Sequence, residues 1–362
     1  MWNSLGSLPV ADEIEVTVLG PGYGESVVVH LGNGEWLIVD SCVDSSDSSK
    51  PVAPLQYLRS LGVEVERAVK YIVVSHWDDD HVKGIADVVE ACISADFICS
   101  EIFPGPQFVS FVEAISVGDA MTDGGNVRNI RKVIQLLEDR QKAIKRAGPS
   151  RTLRINPKIT SWSPSDLEQQ EFLKFIAAAH PQARQALRKA MPSTPNLTSV
   201  VLTIEWDDVS VLLGADMETH SNALRGWGAI TSEVAITGLK PADLVKIPHH
   251  GSVTGHDELM WNKLLVNDPI SVITPFGKAK YGSKPPTKAD VIRIRGKSRK
   301  VFISARHAEP KLPKMEVAVQ RSLREGSITF TTKKLPIGIV RHRRRPGAEW
   351  ASEIFGGAYR SK

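Results

Sequence analysis

The 362-residue sequence predicts an α/β fold: two packed mixed sheets covered by helices, an αββα sandwich. Three observations predict it. Short apolar runs bounded by Gly/Pro turns recur in both halves of the chain. Helical spacings are interspersed among them. A cluster of ligand-type side chains sits at a strand-to-helix turn; periodicity alone does not separate this sandwich from other α/β arrangements, and the choice rests on the resemblance that this motif carries, given below.

The elements follow in order. Residues 13–19, 26–30 and 35–40 read as strands separated by the turn signals PGYG (21–24) and GNG (32–34). Residues 51–62 read as a helix with Pro51 near its start and Gly62 as its stop. YIVVS (71–75) has the continuous apolar character of a buried strand, 84–94 is helical, and 97–103 is strand-like again. A long polar helix is expected from about Asn126 to Gly148, strand character over 153–164, and helix over 166–190. SVVLTIEW (199–206) and VSVLLGAD (209–216) form a β-hairpin pattern around Asp207–Asp208. Strands at 242–248, 271–276 and 300–305 alternate with helices near 257–265 and 287–297, and a hairpin is expected over 315–334. The last 25 or so residues, rich in Arg, Gly and Ala, read as weakly ordered.

Composition narrows the class. The chain is 42% hydrophobic and 24% charged, ordinary for a globular protein. No run approaches the ~18 apolar residues of a membrane span. The N-terminal stretch lacks a basic flank followed by an apolar block, so no secretory signal is expected. The three cysteines, Cys42, Cys92 and Cys99, are unpatterned, which argues against a disulfide framework or thiolate metal site and for a reducing cytoplasm.

Charge divides the chain. The net +4 combines 23 basic and 35 acidic residues over 1–277 (net −12) with 22 basic and 6 acidic over 278–362 (net +16). One reading is a basic surface that pairs with the acidic half of the same molecule. The other is an electrostatic footprint for nucleic acid, to which Lys284, Lys297, Arg299, Lys300, Arg343, Arg344 and Arg345 would contribute. The segment lacks the amphipathic pattern of a membrane-surface helix.

The sharpest chemical signal is Ser75-His76-Trp77-Asp78-Asp79-Asp80-His81, directly after the YIVVS strand. His76, Asp78, Asp80 and His81 fall within six residues, and three adjacent aspartates repel one another unless a cation is bound. Imidazole and carboxylate ligands suit Zn²⁺, Mn²⁺ or Fe²⁺. A metal site needs convergence from distant segments, and other strand ends offer it. Asp216 ends VSVLLGAD, where it could bridge two metals, and His249-His250 end ADLVKIPHH. Asp40 ends WLIVD and is read as the carboxylate that holds a ligand histidine.

Taken together, D…SHxDxDHxxG…GAD…PHHGS resembles the metallo-β-lactamase-fold hydrolases, and within them the hydrolase domain of the ComEC competence protein. That branch carries Asp where most of the superfamily has the second His of HxHxDH, as Asp78 does here. Asn196-Leu197-Thr198-Ser199 matches its Asn-x-x-Ser strand, 249–252 its HHGS segment, and Tyr281-Gly282-Ser283-Lys284-Pro285 its Tyr-Gly-x-x-Pro turn. The resemblance implies a hydrolase domain over 1–305, with a helical insertion at about 125–190, and a basic C-terminal extension over 306–362. It covers roughly 13–305. Two departures stand out. The histidine that many relatives place before the bridging aspartate is missing, since neither His180 nor His220 fits, and no histidine occupies the 281–285 turn.

What the resemblance implies chemically is two divalent cations, Zn²⁺ or Mn²⁺, activating a shared water. His76, Asp78 and Asp216 would hold one; Asp80, His81 and one of the histidine pair would hold the other. His250 is the preferred ligand, with His249 touching a substrate oxygen, although the sequence does not decide their order. Ser252 offers a donor nearby, and Ser199 another from its strand. The expected activity is phosphodiester hydrolysis, as a nuclease with Asp80, His249 and Ser252 at the reacting centre. The alternatives are hydrolysis of a small phosphoester or cyclic nucleotide, or a nucleic-acid-binding subunit with a structural metal. Nucleic acid is the expected partner, protein partners are unspecified, and no membrane is involved.

Overall fold

A computed structural model describes residues 2, 5–20, 24–100, 125–179, 195–276, 284–305 and 336–361. Its first sheet is built from β1 (Ile14–Gly20), β2 (Ser26–Leu31), β3 (Trp36–Val39), β4 (Val69–Val74), β5 (Asp96–Ser100), β6 (Lys145–Ala147), β14 (Gly338–Arg344) and β15 (Ala351–Gly356), in the order β15-β14-β1-β2-β3-β4-β5-β6. The second contains β7 (Arg151–Ile155), β8 (Lys158–Ser161), β9 (Leu202–Trp206), β10 (Val209–Leu213), β11 (Ala242–Lys246), β12 (Leu265–Ile273), β13 (Lys300–Ile303) and β16 (Tyr359–Arg360), in the order β16-β13-β12-β11-β10-β9-β8-β7. Helices cover the outer faces: α1 (Ala53–Ser60), α2 (Val65–Ala68), α3 (Asp79–Val82), α4 (Ile85–Ala91) and α5 (Gly125–Asp139) on the first sheet's side. With them come α6 (Asp166–Ala179), α7 (Gly226–Thr237), α8 (Glu258–Lys263) and α9 (Lys288–Arg295). No described helix is long and apolar enough to cross a membrane.

The layering follows from strand alternation, since successive side chains point to opposite faces. Val16, Val18, Val27, Val29, Leu37, Val39 and Val73 face Leu202, Ile204, Val209, Val211, Leu213 and Leu244 across the space between the sheets. Their neighbours on the other faces (Leu19, Val28, Ile38 and Val74; Leu212, Val245 and Ile273) pack outward. The first set meets Leu55, Leu58, Ile85 and Val88, and the second meets Trp227, Ile230, Met260, Trp261 and Ile294. Three apolar layers between four layers of secondary structure make the expected αββα sandwich.

Pairing direction places the site. β3 and β4 are parallel, with Val39 opposite Val73, so Asp40 and the Ser75-His76 turn leave the first sheet at the same edge. β10, β11 and β12 are also mutually parallel, with Leu213 opposite Lys246, so the Gly214–Asp216 turn emerges beside Pro248–His250. Carboxyl ends of adjacent parallel strands make a crevice that secondary structure does not fill.

Three expectations change. The polar helix ends at Asp139, not Gly148, and Lys145–Ala147 instead pairs with β5. The 125–190 insertion is therefore helical only in part: it supplies β6 to one sheet and the β7–β8 hairpin to the other. The chain end is not weakly ordered. β14 lies between β1 and β15, with Arg341 and His342 buried, and β16 pairs with β13. A charge-dense RHRRR stretch reads as solvated, yet arginine stems bury well when each guanidinium finds a carboxylate. The 315–334 hairpin, His180 and the 281–283 turn residues lie outside the described residues.

Candidate metal centre

The backbone at the strand ends is bent sharply to aim its side chains. Asp40, Ala215, His249 and His250 all have positive φ (59°, 45°, 43° and 52°). Non-glycine residues in this region cost of order 1–3 kcal/mol each and persist only where their surroundings hold them. Here they are held: the His249 N–H donates to the Ala215 carbonyl at 3.0 Å, and the Asp40 N–H to Val73 at 2.8 Å.

Asp40 organises the first half of the site. Its Oδ1 accepts from the Ser75 N–H at 2.7 Å, and its Oδ2 accepts from Ser75 Oγ at 2.6 Å and His81 Nδ1 at 2.8 Å. With its proton spent on Asp40, Ser75 Oγ is left to accept from His76 Nδ1 at 3.0 Å. One buried carboxylate thereby orients both imidazoles, with each Nε2 turned away from it. In the second half, His250 Nδ1 donates to the Thr274 carbonyl at 2.9 Å, which again leaves Nε2 facing inward.

These Nε2 atoms meet carboxylates. His250 Nε2 lies 3.0 Å from Asp80 Oδ2 and 3.1 Å from Asp216 Oδ2, and His81 Nε2 lies 3.4 Å from Asp216 Oδ2 and 3.8 Å from Asp80 Oδ2. His76 Nε2 is 3.7 Å from Asp78 Oδ2, and its ring is centred 4.1 Å from that of His81. His76 Nε2, Asp80 Oδ2, His81 Nε2, Asp216 Oδ1 and His250 Nε2 are all buried and, apart from the contacts they make with one another, meet no hydrogen-bonding group. Leaving such groups unmet costs roughly 1–3 kcal/mol apiece. Five together, all of metal-ligating type, fit divalent cations.

Their electrostatics agree. Burial opposes charge on His250, yet the Asp216, Asp80 and Glu25 carboxylates outweigh it and raise its pKa to about 10. Burial is likewise overcome at His81, which Asp216, Glu25, Asp80 and Asp40 hold well above the usual histidine range. Conversely, the two imidazoles hold Asp80 at about 2 and Asp216 well below the carboxylate range, against burial. His76 is pushed down to about 4 by burial, with His81 adding to it, and burial raises Asp78 to about 6. Two imidazolium charges therefore stand where cations would neutralise the acidic cluster.

A cleft of about 520 Å³ opens onto this centre, lined by Asp78, Asp80, Asp216, His249, His250 and Ser252, with Asp79, Asn196, Phe276, Lys284 and Pro285 around them. His249 stands on the wall, not in the cluster. Its Nδ1 is 2.9 Å from both Glu218 Oε1 and Thr254 Oγ1, and its Nε2 accepts from Asn196 Nδ2 at 3.2 Å. The geometry thus places His250 inward and His249 toward the cleft. Ser252 Oγ accepts from the Thr254 N–H. Ser199 is fully buried, beside Val200, whose N–H donates to the Ser75 carbonyl.

The predicted basic residues do not gather at the cleft, Lys284 excepted; its Nζ sits 4.2 Å above the Phe276 ring. Lys297 pairs with Glu258 at 2.6 Å, Arg299 with Asp268 at 3.1 Å, and Lys300 is exposed. Arg343 pairs with the fully buried Glu15 at 2.7 Å, Arg344 with Asp208 and Asp243, and Arg345 with Asp12 at 3.7 Å. This is the internal pairing of the two charge halves.

Sequence reasoning missed Glu25, Glu218, Lys246 and Thr274. Lys246 carries the one usable signal, an ammonium side chain inside the apolar run ADLVKIP just before the histidine pair. Glu25, His81, Asp216 and His250 also form a group with ligand atoms within 4.8 Å of one another. Glu25, however, approaches His81 and His250 from their Nδ1 sides, at 3.8 and 3.6 Å, and so stands behind the imidazoles.

Two packed mixed sheets with helices on their outer faces are consistent with the metallo-β-lactamase sandwich fold. Residues 19–144 match the family model described as Metallo-beta-lactamase superfamily. Among solved structures, the metallo-β-lactamase fold protein YhfI from Bacillus subtilis is similar, at 13% identity and a TM-score of 0.42 over 83% of this chain and 98% of that one. MEM-A1, a subclass B3 metallo-β-lactamase from a soil metagenome library, gives 15% identity and a TM-score of 0.35 over 70% and 84%. No curated protein matches the sequence.

Proposed function

We propose that the protein is a metal-dependent hydrolase of phosphodiesters, acting as a nuclease with two divalent cations, Zn²⁺ or Mn²⁺. The observation that carries the hydrolase reading is the convergence of five buried ligand atoms, contributed by both sheets, behind an open cleft that Asp80, Asp216 and His250 line. His76, Asp78 and Asp216 would hold one cation, and Asp80, His81 and His250 the other. Bound there, the cations would supply Lewis acidity and an activated water.

The chain's own residues do the rest. Asp40 fixes the orientation of His81 directly and of His76 through Ser75. His249, backed by Glu218 at Nδ1, lines the cleft, where its Nε2, once protonated and released from Asn196, can donate to a substrate oxygen. Lys284 at the cleft wall offers positive charge to a phosphoryl oxygen, and Phe276 beside it offers an apolar face. A phosphodiester is favoured over a lactam by the ComEC-like Asp78, HHGS and Asn-x-x-Ser segments, together with that lysine.

The internal pairing of Arg343 and Arg344 favours a second reading in which the substrate is a small phosphodiester held within the cleft. A panel of single-stranded DNA, duplex DNA, RNA, cyclic dinucleotides and bis-p-nitrophenyl phosphate, each with Mn²⁺ and with Zn²⁺, tests both. Cleavage of polymers supports the nuclease, and cleavage of small diesters alone supports the second. No turnover of any phosphodiester with either cation refutes the proposal.

A further inference from the structure

The six proposed ligands come from two separate sheets: His76, Asp78, Asp80 and His81 follow β4, whereas Asp216 and His250 follow β10 and β11. Between the sheets lie mostly Val, Leu and Ile, which resist separation but do not set a distance to a few tenths of an ångström. Something directional must fix the two half-sites against each other. A buried polar group at the site's back does this by connectivity.

Glu25, immediately before β2, belongs to the first sheet's half. Its N–H donates to the Asp80 carbonyl at 2.9 Å. Gly24 permits that approach: at φ +102° it lies so close to the Asp80 carbonyl that a Cβ would stand 3.1 Å from the oxygen. The Glu25 carboxylate crosses to the second sheet, where Oε1 accepts from Lys246 Nζ at 2.5 Å and Oε2 from Thr274 Oγ1. Lys246, the last residue of β11, also donates to the Ala215 carbonyl at 3.0 Å and sits 3.7 Å from Asp216 Oδ1. The Thr274 carbonyl in turn accepts from His250 Nδ1. One carboxylate and one ammonium, both 2% exposed or less, thus touch the residues that aim Asp80, Asp216 and His250.

We propose that Glu25 and Lys246 form an inter-sheet clamp that sets the separation of the two half-sites and so governs cation binding; they are positioning residues. The inference rests on the metal-dependent reading above. A simpler possibility has the opposite sign: if Lys246 acted only by its charge, it would repel cations, and removing it would tighten binding.

The test measures Mn²⁺ and Zn²⁺ binding to the full chain by titration calorimetry, and the visible spectrum of the Co²⁺ form. The variants are Glu25→Gln, Lys246→Met and the double variant. Each single variant orphans a buried charge at a cost to folding, so the double variant, which removes both charges, carries the decision. Loss of an outer-shell partner typically weakens metal binding roughly 10–100-fold. That loss in the double variant, with an altered Co²⁺ spectrum and a wild-type circular dichroism spectrum, supports the clamp. Unchanged affinity and spectrum in the double variant, or tighter binding in Lys246→Met, overturns it while leaving the hydrolase reading standing. A wild-type chain that binds no divalent cation overturns both.

Discussion

Cation binding at this centre should be strongly linked to pH. In the metal-free protein His250 has its pKa raised to about 10 by Asp216, Asp80 and Glu25, so it is protonated at neutrality. A cation at Nε2 must displace that proton. Between pH 6.5 and 8.5 the competition weakens by two pH units, which predicts about a hundredfold tighter binding, or about 2.7 kcal/mol at 1.36 kcal/mol per unit. His81, raised for the same reason, adds a second proton to the exchange. Calorimetric titrations of Zn²⁺ or Mn²⁺ in buffers of different ionisation enthalpy count the protons released. At least one is expected at pH 7 when the Asp80–His81–His250 site fills, and close to none from the His76–Asp78–Asp216 site, whose groups are already deprotonated. Binding that is pH-independent and releases no proton would refute the assignment of His250 as a ligand and the charge-balance argument with it.

Other consequences are open to measurement. Asp80→Ala should abolish hydrolysis and lower the cation stoichiometry, with little change in circular dichroism; retained activity would remove Asp80 from the reacting centre. The metal-free protein should lose stability as pH rises from 6.5 toward 10. Folded His250 binds a proton there that the unfolded chain has released, so its contribution is full below 6.5 and gone above its folded pKa. Urea melts in chelator at pH 6.5 and 9 check this. Arg343→Met should cost about 3 kcal/mol of stability, because it removes the cation from the fully buried Glu15 carboxylate and leaves it only the Tyr57 and Thr17 hydroxyls, and should leave the affinity for a nucleic-acid substrate unchanged. A stable variant with weakened, salt-sensitive DNA binding would restore the footprint reading of that arginine.

Legibility in the sequence tracked how local each cause was. The YIVVS strand and the SHWDDDH turn stood out because apolar run, turn and ligands are contiguous, and Asp216 and His250 because each ends a strand of its own. Asp40 was readable for the same reason, although nothing in WLIVD shows that its carboxylate would reach Ser75 and His81 together. The order within His249-His250 was not readable, since it depends on two successive left-handed residues that turn one ring inward and the other to the wall. Glu25 escaped notice because its meaning lies in Lys246 and Thr274, more than two hundred residues away. The α5 boundary failed because LEDRQKAIKRA keeps helical spacing past Asp139; pairing of Lys145–Ala147 with β5 overrides it.

The basic C-terminal segment shows how one compositional signal can carry two physical causes. Its net +16 suggests an external polyanion, but the acidic excess of residues 1–277 is itself a polyanion. β14 runs antiparallel to β1 with Glu15 opposite Arg343, so that arginine meets the acidic half side chain to side chain. Arg341 pairs with Glu353 at 2.7 Å, and Arg344 reaches Asp208 and Asp243 on the other sheet. A strand carrying such a density of charge can enter a sheet only if each guanidinium is met, because an unpaired buried charge costs several kcal/mol. The charge asymmetry along the chain is therefore in part satisfied internally, where the last strands lie against the first and across onto the second sheet. Any nucleic-acid surface must be drawn from the cations this pairing leaves over, Lys284 at the cleft and the exposed Lys300 first among those described.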